Sequence, residues 1–485
     1  MKELFSQKDY QAKIIEAEKD ILSIQQSRYA LGLHLMPPVG WLNDPNGLCQ
    51  KDGMYHIFFQ YSPFDANGGE KFWGHFQTRD FMHYAYTGAP LSPDLPMDRD
   101  GVFSGCALVD EGMIKLYYTG NVYEEGTDGI LEGRQANTIY VETNDGIAMS
   151  PKKCLLTNAD YPSFITCQVR DPKVWKEQDT YYMIQGAWSK EYKGHVLIFT
   201  SKDSIRWHYS HALTTGEPFG YMWECPTLFS IDGKQILSIS PQGVESEEFR
   251  YQNIYQSGYF LINGDFKGNY ELKDFYEWDM GFDFYAPQIF EDEKGRHILI
   301  GWMGIPDAAY TNPTVEDGWQ HTLTFPRELT LSSDKTRVLQ TPVKELENLR
   351  RHEILPKEQS AGETVYQNIS LCELLLDRIS SSFSVTVADD LHFEWDKTNG
   401  ICRLFFTGQA GYGRTCRKIQ MDKISSLQMF IDSSAVEIYL NEGEIVFSSR
   451  YYPKEKSNDL MIQCDNCLQK LWALSPITTT YHNLE

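Results

Sequence analysis

The feature that most constrains this chain is a strand, a tight turn and a second strand recurring five times between residues 44 and 302. The first unit runs from Asp44-Pro45-Asn46-Gly47 through Asp52-Gly53 into Met54 to Gln60. The second has Phe103 to Val109, Glu111-Gly112 and Met113 to Thr119; the third has Asp171 to Trp175, Gln178-Asp179 and Thr180 to Gly186. The fourth has Glu224-Cys225-Pro226, Asp232-Gly233 and Gln235 to Ser240; the fifth has Ala286 to Phe290, Lys294-Gly295 and Arg296 to Trp302. Acidic-Gly pairs between β-branched and aromatic runs are hairpin turns. Composition alone, with 14% aromatics, fits a sandwich equally well. The spacing of roughly 50 to 70 residues is that of blades with insertions, and it predicts an all-β five-bladed β-propeller.

A chain of 485 residues exceeds one ordinary core, so a second domain is expected. Lys344 to Glu353, stopping before Pro356, reads as a linker with a helical turn or two. Beyond it Phe383 to Val387, Gln428 to Ile431, Ala435 to Leu440 and Glu444 to Ser448 alternate like sandwich strands, with Asn441-Glu442-Gly443 as a turn. The expected division is an N-terminal helical segment (1–30), the propeller (31–340), a linker (341–357) and a C-terminal β-sandwich (358–485). Met1 to Gln26, with Lys2, Glu3, Lys8, Asp9, Lys13 and Glu16 among Leu4, Ile14, Ile15, Ile21 and Leu22, reads as a short amphipathic helix and not a signal peptide.

The longest apolar stretch, Ile298 to Ile305, falls far short of the roughly 20 residues a membrane helix needs. Ten cysteines lie singly except Cys464 and Cys467, a pattern of free thiols in a reducing cytoplasm that leaves the Asn368-Ile369-Ser370 sequon unused. A net charge of -23 excludes nucleic acid and anionic membrane as partners. His75 and His83 lack zinc-site spacing, so no metal is expected. Walker, G-x-S-x-G and dinucleotide motifs are absent, so neither is a cofactor. Oligomeric state is left open.

Asp44, Asp171 and Glu224 each open the first strand of a unit, one or two residues before a proline. Innermost propeller strands converge on the axis, so three acids from units one, three and four can share one funnel. Asp-Pro-Asn-Gly alone is a turn sequence and Arg170-Asp171 alone an ion pair; the combination points to glycoside hydrolysis, which needs a carboxylate and a carboxylic acid flanking the scissile bond. Mutual repulsion and walls such as Trp73 and Trp302 would raise the acid's pKa, while Arg170 would hold Asp171 ionised. Cys225 reads as buried filler.

Trp41-Leu42-Asn43-Asp44-Pro45-Asn46-Gly47, Phe103-Ser104-Gly105, Arg170-Asp171-Pro172-Lys173-Val174 and Glu224-Cys225-Pro226, in that order, resemble glycoside hydrolase family 32. Asp283 to Ala286, Gly301 to Gly304, Leu323 to Leu329 and Asp432 to Glu437 extend the resemblance over nearly the whole chain. It implies Asp44 as nucleophile, Glu224 as acid/base and Asp171 as the residue that binds fructose hydroxyls, with Asn43, Gln60, Trp73, Phe103, Ser104, Arg170 and Trp302 around a fructose pocket. Two departures stand out: Gly68 where the family commonly has a pocket tryptophan, and Thr227 where it has an aspartate after Glu-Cys-Pro.

The resemblance implies a retaining, exo-acting enzyme cleaving the fructosyl bond of sucrose 6-phosphate or sucrose. The alternatives are a hydrolase of short fructo-oligosaccharides and, in another class, a non-catalytic sugar-binding propeller. A phosphate would need a cation beside the funnel, for which Arg134, Lys71 and Arg327 are candidates.

Overall fold

Backbone chemistry at the hairpin turns explains the architecture. Asp52 and Gly53 have φ of 53° and 74°, Glu111 and Gly112 of 53° and 78°, and Asp232 and Gly233 of 47° and 79°. A left-handed pair matches the twist of the flanking strands, and glycine takes the second position without strain. The computed structural model describes residues 4–360, 362–454 and 458–481; Met1, Lys2 and Glu3 of the expected helix, and residues 482–485 of the expected sandwich, lie outside the described residues.

The turns build five sheets, each around four antiparallel strands in chain order; the blade 1 sheet adds Trp319–Gln320 and Thr478–Tyr481 in parallel, and the blade 5 sheet adds Thr322–Leu323. Blade 1 begins with Gly40–Lys51 and Met54–Ser62, blade 2 with Val102–Asp110 and Met113–Tyr123, and blade 3 with Ile165–Glu177 and Thr180–Ser189. Blade 4 begins with Met222–Ile231 and Lys234–Gln242, and blade 5 with Tyr285–Glu291 and His297–Met303. The first strand of each blade touches that of the next, and blade 5 touches blade 1, which closes the ring. The protein is a five-bladed propeller followed by a sandwich.

Three segments differ from the sequence expectation. The N-terminal helix is not continuous: Gln7–Ala17, capped by Ser6 and Asp9, gives way to a tighter turn at Glu18–Asp20 and a last turn at Ile21–Gln25. Tyr10, Ile14, Ile21 and Ile24 are buried in the core that includes blade 1, and Glu18 accepts hydrogen bonds from Tyr61 (3.1 Å) and Tyr86 (2.5 Å). Arg350–Glu353, expected within the linker, is a strand paired with Leu468–Leu474 of the sandwich. Thr478–Tyr481, expected in the sandwich, instead pairs in parallel with His83–Tyr86 at the outer edge of blade 1.

The sandwich packs sheets of six and seven strands over Leu374, Leu376, Val385, Phe393, Trp395, Ile438 and Phe447. Buried charge, alongside apolar packing such as Phe325 on Phe430, marks its junction with the propeller. Glu437 accepts from Arg327 (2.7 Å), His34 (3.1 Å), Tyr439 (2.5 Å) and the Phe325 backbone (2.7 Å). Arg327 also reaches Asp279 at 3.1 Å, His34 is held by Asp432 at 2.8 Å, and Arg414 clasps Asp283 with two bonds of 2.7 Å. Arg327, a sequence candidate for phosphate binding, is therefore sealed in this junction with 0% exposure.

Burial pushes the Glu437 carboxyl up, but Arg327 and the bonds from His34 and Tyr439 reverse this and hold it at about 2. A carboxyl with a depressed pKa adds stability above its unfolded value of 4.5 that is lost as pH falls towards about 2. Glu437→Gln leaves Arg327 buried without its nearest counter-charge. It should cost about 3–5 kcal/mol at pH 7 in urea unfolding, with the difference from the parent narrowing below pH 4.5.

Candidate active site

In every blade two residues of the inner strand oppose one of its neighbour. The unpaired pair is Asn43-Asp44 in blade 1, Phe103-Ser104 in blade 2, Asp171-Pro172 in blade 3, Cys225-Pro226 in blade 4 and Ala286-Pro287 in blade 5. Each is a β-bulge, where the ladder can spare a donor and proline is tolerated. Asp171, Cys225 and Ala286 take left-handed φ values of 61°, 47° and 48°, strain that a non-glycine residue adopts only when its surroundings dictate it. The expectation that the carboxylates open their strands is corrected: the strands start earlier, at Gly40, Ile165 and Met222, and bulge at or beside the acids.

Aligning the bulges on their prolines, with Gly105 in the proline's place in blade 2, sorts the side chains into two tiers. Asp44, Ser104, Asp171, Cys225 and Ala286 occupy one, and Asn43, Phe103, Arg170, Glu224 and Tyr285 the other, so Glu224 aligns with Arg170 and not with Asp171. In the first tier Ser104 Oγ donates to Asp44 Oδ2 at 2.5 Å, and the Cys225 backbone N–H donates to Asp171 Oδ2 at 2.9 Å. Cys225 Sγ lies 3.8 Å from Asp44 Oδ2 and 3.7 Å from Asp171 Oδ2. Blades 1 and 4 are not neighbours in the ring, so these atoms meet across its axis. In the second tier Glu224 accepts from Arg170 Nε (2.7 Å), Tyr285 (2.5 Å) and Gln242 (2.8 Å).

Asn43 Nδ2 donates across the tiers to Asp44 Oδ1 at 3.1 Å. Gln60, opposite the blade 1 bulge, accepts from Ser104 (3.0 Å) and Asn43 (3.3 Å) and donates to the Val102 carbonyl (3.0 Å). Asp44, Glu224, Asp171, Asn43, Gln60, Ser104 and Arg170 thus form one connected set, with Phe103 at the blade 2 bulge. The tryptophans stand behind it. Trp73 has 0% exposure and donates to the Phe103 carbonyl at 3.1 Å; Trp302 is buried against Trp41 and Tyr285. Neither is an open wall of the funnel.

Sequence reasoning gave no role to Tyr285 and Trp41, although both stood in quoted motifs, and missed Gln242, which carries no motif. Trp41 Nε1 and Lys71 Nζ donate to Asn43 Oδ1 at 2.8 and 3.3 Å. A Cβ on Gly68 would meet Lys71 Nζ and the Trp41 ring at 3.6 Å, so these two side chains take up the space left by the absent tryptophan. Thr227 makes no side-chain hydrogen bond to Glu224, its buried hydroxyl being without a hydrogen-bond partner. Gln242 and Tyr285, not residue 227, position Glu224.

Burial raises the Asp44 carboxyl. Burial also raises Asp171 to about 7, with the charges of Glu224 and Asp44 adding to it and Arg170 opposing. The expectation that Arg170 keeps Asp171 ionised is corrected, since the guanidinium hydrogen-bonds to Glu224 and burial prevails. The Cys225 thiol is pushed well above its ordinary value by burial and then by Asp171 and Asp44, which makes it inert as a nucleophile.

Residues 34–342 match the N-terminal domain model of glycosyl hydrolases family 32, and residues 373–467 its C-terminal model. The chain belongs to family 32. It is therefore a glycoside hydrolase. A sucrose-6-phosphate hydrolase of Bacillus subtilis is 40% identical over 87% of this chain and 88% of its own length. A raffinose invertase of Escherichia coli is 35% identical over 88% of this chain and 90% of its own. Among solved structures, a sucrose-6-phosphate hydrolase from Lactobacillus gasseri superposes with a TM-score of 0.86 at 27% identity, covering 98% of this chain and 99% of that one.

The site of this family 32 chain implies a trade of stability for function. A carboxyl whose folded pKa is raised adds stability below its unfolded value of 3.8 and loses it as pH rises through about 7. Asp171→Asn should therefore raise the melting temperature at pH 8, leave it nearly unchanged at pH 3.5, and lower turnover. Equal melting shifts at both pH values would contradict the raised pKa.

Proposed function

We propose that the chain is a retaining, exo-acting β-fructofuranosidase that hydrolyses the fructosyl bond of sucrose 6-phosphate or sucrose. The observation that carries this reading is the division of the acids between two tiers. Asp44 is hydrogen-bonded by the neutral groups Ser104 and Asn43, and Lys71 acts on it only through its charge, without a direct ion pair that would blunt attack. Glu224 sits in the other tier among Arg170, Tyr285 and Gln242.

In the first step an Asp44 oxygen attacks the fructosyl anomeric carbon while Glu224 delivers its proton to the departing glycosidic oxygen. The bond to the leaving sugar breaks and a fructosyl ester on Asp44 forms. In the second step Glu224 takes a proton from water, the water oxygen attacks the same carbon, and the ester opens to release fructose and free Asp44. Two displacements return the original configuration. Asp171, titrating near 7, donates or accepts towards ring hydroxyls at neutral pH, and interactions that tighten as the ring flattens favour the transition state. Charged and neutral forms of the substrate differ only beyond the fructosyl ring. The names of the Bacillus and Lactobacillus relatives support the phosphorylated one, and that of the Escherichia raffinose invertase the neutral one. Ten free cysteines suit a reducing, cytoplasmic setting.

The test is kinetics on sucrose, sucrose 6-phosphate, kestose and inulin, with NMR of the first sugar released. The β-anomer of fructose should appear first, and the phosphorylated substrate should show a kcat/KM at least about tenfold higher. Asp44→Asn should lower kcat by more than about 1,000-fold while sugar still binds. An inverted first product would remove the ester intermediate, and undiminished turnover by the variant would remove Asp44 from it.

A further inference from the structure

Arg134 starts the third strand of blade 2 and is only 4% exposed. Its Nε donates to Asn121 at 2.6 Å and its Nη1 to Gln168 Oε1. The same Gln168 oxygen accepts from Arg170 Nη1 at 2.5 Å, so one amide holds two guanidinium groups side by side. The charge of Arg170 acts on Arg134 unfavourably, and those of Asp171 and Glu224 favourably. Aromatic rings flank the Arg134 guanidinium, Phe103 at 5.4 Å and Tyr123 at 5.7 Å.

Two observations set Arg134 apart from Arg170, Arg327 and Arg414; Arg450 shares both, but its guanidinium is held by Ser434 of the sandwich and is not joined to the acids of the site. Its Nη2 is buried without a hydrogen-bond partner. Among the described residues it also has no carboxylate partner, whereas Arg170 has Glu224, Arg327 has Asp279 and Glu437, and Arg414 has Asp283. An unpaired buried guanidinium is costly, and in a chain of net charge -23 carboxylates are not scarce. A guanidinium near acids but without a direct ion pair suits an anion brought by a ligand, and the planar fork of arginine fits phosphate oxygens.

Its location decides which part of a ligand it can read. Through Gln168 and Arg170, Arg134 is joined to Glu224, the group that protonates the departing oxygen, and hence to the leaving-group side. Lys71 is the other unpaired cation of the site, but its Nζ donates to Asn43 at 3.3 Å and the Asp44 charge acts on it, which puts it on the fructosyl side. We propose that Arg134, braced by Gln168 beside Arg170, forms a subsite for a phosphomonoester carried on the leaving sugar. This rests on the β-fructofuranosidase reading and names the residue that distinguishes a phosphorylated substrate from a neutral one.

The experiment compares kcat/KM for sucrose 6-phosphate and sucrose in the parent protein and in Arg134→Gln, Arg134→Lys and Lys71→Met. The ratio of the two values cancels losses from partial folding. Arg134→Gln should lower the ratio by about tenfold or more, Arg134→Lys should restore part of it, and Lys71→Met should change both substrates in proportion. Competitive inhibition by glucose 6-phosphate relative to glucose should weaken in the same order. A parent ratio near one would overturn the phosphorylated substrate together with the subsite. A parent preference that survives Arg134→Gln, or that is lost in Lys71→Met, would overturn the subsite alone and leave the substrate standing.

Discussion

Everything in the site depends on a place where the sheet fails to pair. In each blade the inner strand carries one residue too many, and the surplus bends the backbone and re-aims two consecutive side chains. Repeating this defect around a closed ring yields two stacked rings of side chains at the axis. Nucleophile candidate and proton donor candidate thereby occupy different rings. Regular strands would send successive residues to opposite faces of the sheet, and Asn43 could not sit beside Asp44 as it does, at 3.1 Å.

The second device is a set of charges taken out of water. Glu437, Arg327, Asp279, His34, Asp432, Arg414 and Asp283 lie buried between propeller and sandwich and satisfy one another. Such groups tolerate no sliding, because a shift of an ångström would leave charge unpaired in a low-dielectric interior. Asp283 stands just before the inner strand of blade 5, whose bulge supplies Tyr285 to Glu224. The sandwich, remote from the acids in sequence, thus steadies the strand from which one of their hydrogen-bond donors comes.

What could be read from the sequence was what local chemistry dictates. Hairpin turns need left-handed residues, prolines mark spots where a ladder donor is missing, and both show in the letters. The partner of Arg170 did not, because adjacency to Asp171 in sequence says nothing about tier, and the one-residue offset between Arg-Asp-Pro and Glu-Cys-Pro sets the guanidinium against Glu224. Trp73 was misplaced because its ring faces the packing between blades 1 and 2 and not the axis, a choice made by the pleat. Gln242 carries no motif, and its role follows only from its position in space. Arg350–Glu353 and Thr478–Tyr481 lack the apolar alternation of buried strands, so their pairing is a property of the assembled edges.

The parallel pairing of Thr478–Tyr481 with blade 1 bears on how the molecule is made. Thr480 and Tyr84 are 396 positions apart, and a ribosome adding about 5–20 residues per second needs tens of seconds to bridge that interval. Throughout it the outermost strand of the earliest blade presents bare amides and carbonyls to the cell, the kind of border that invites another polypeptide to add itself. The nascent protein thus carries this bare edge through most of its synthesis, and the last element described here is the one that covers it.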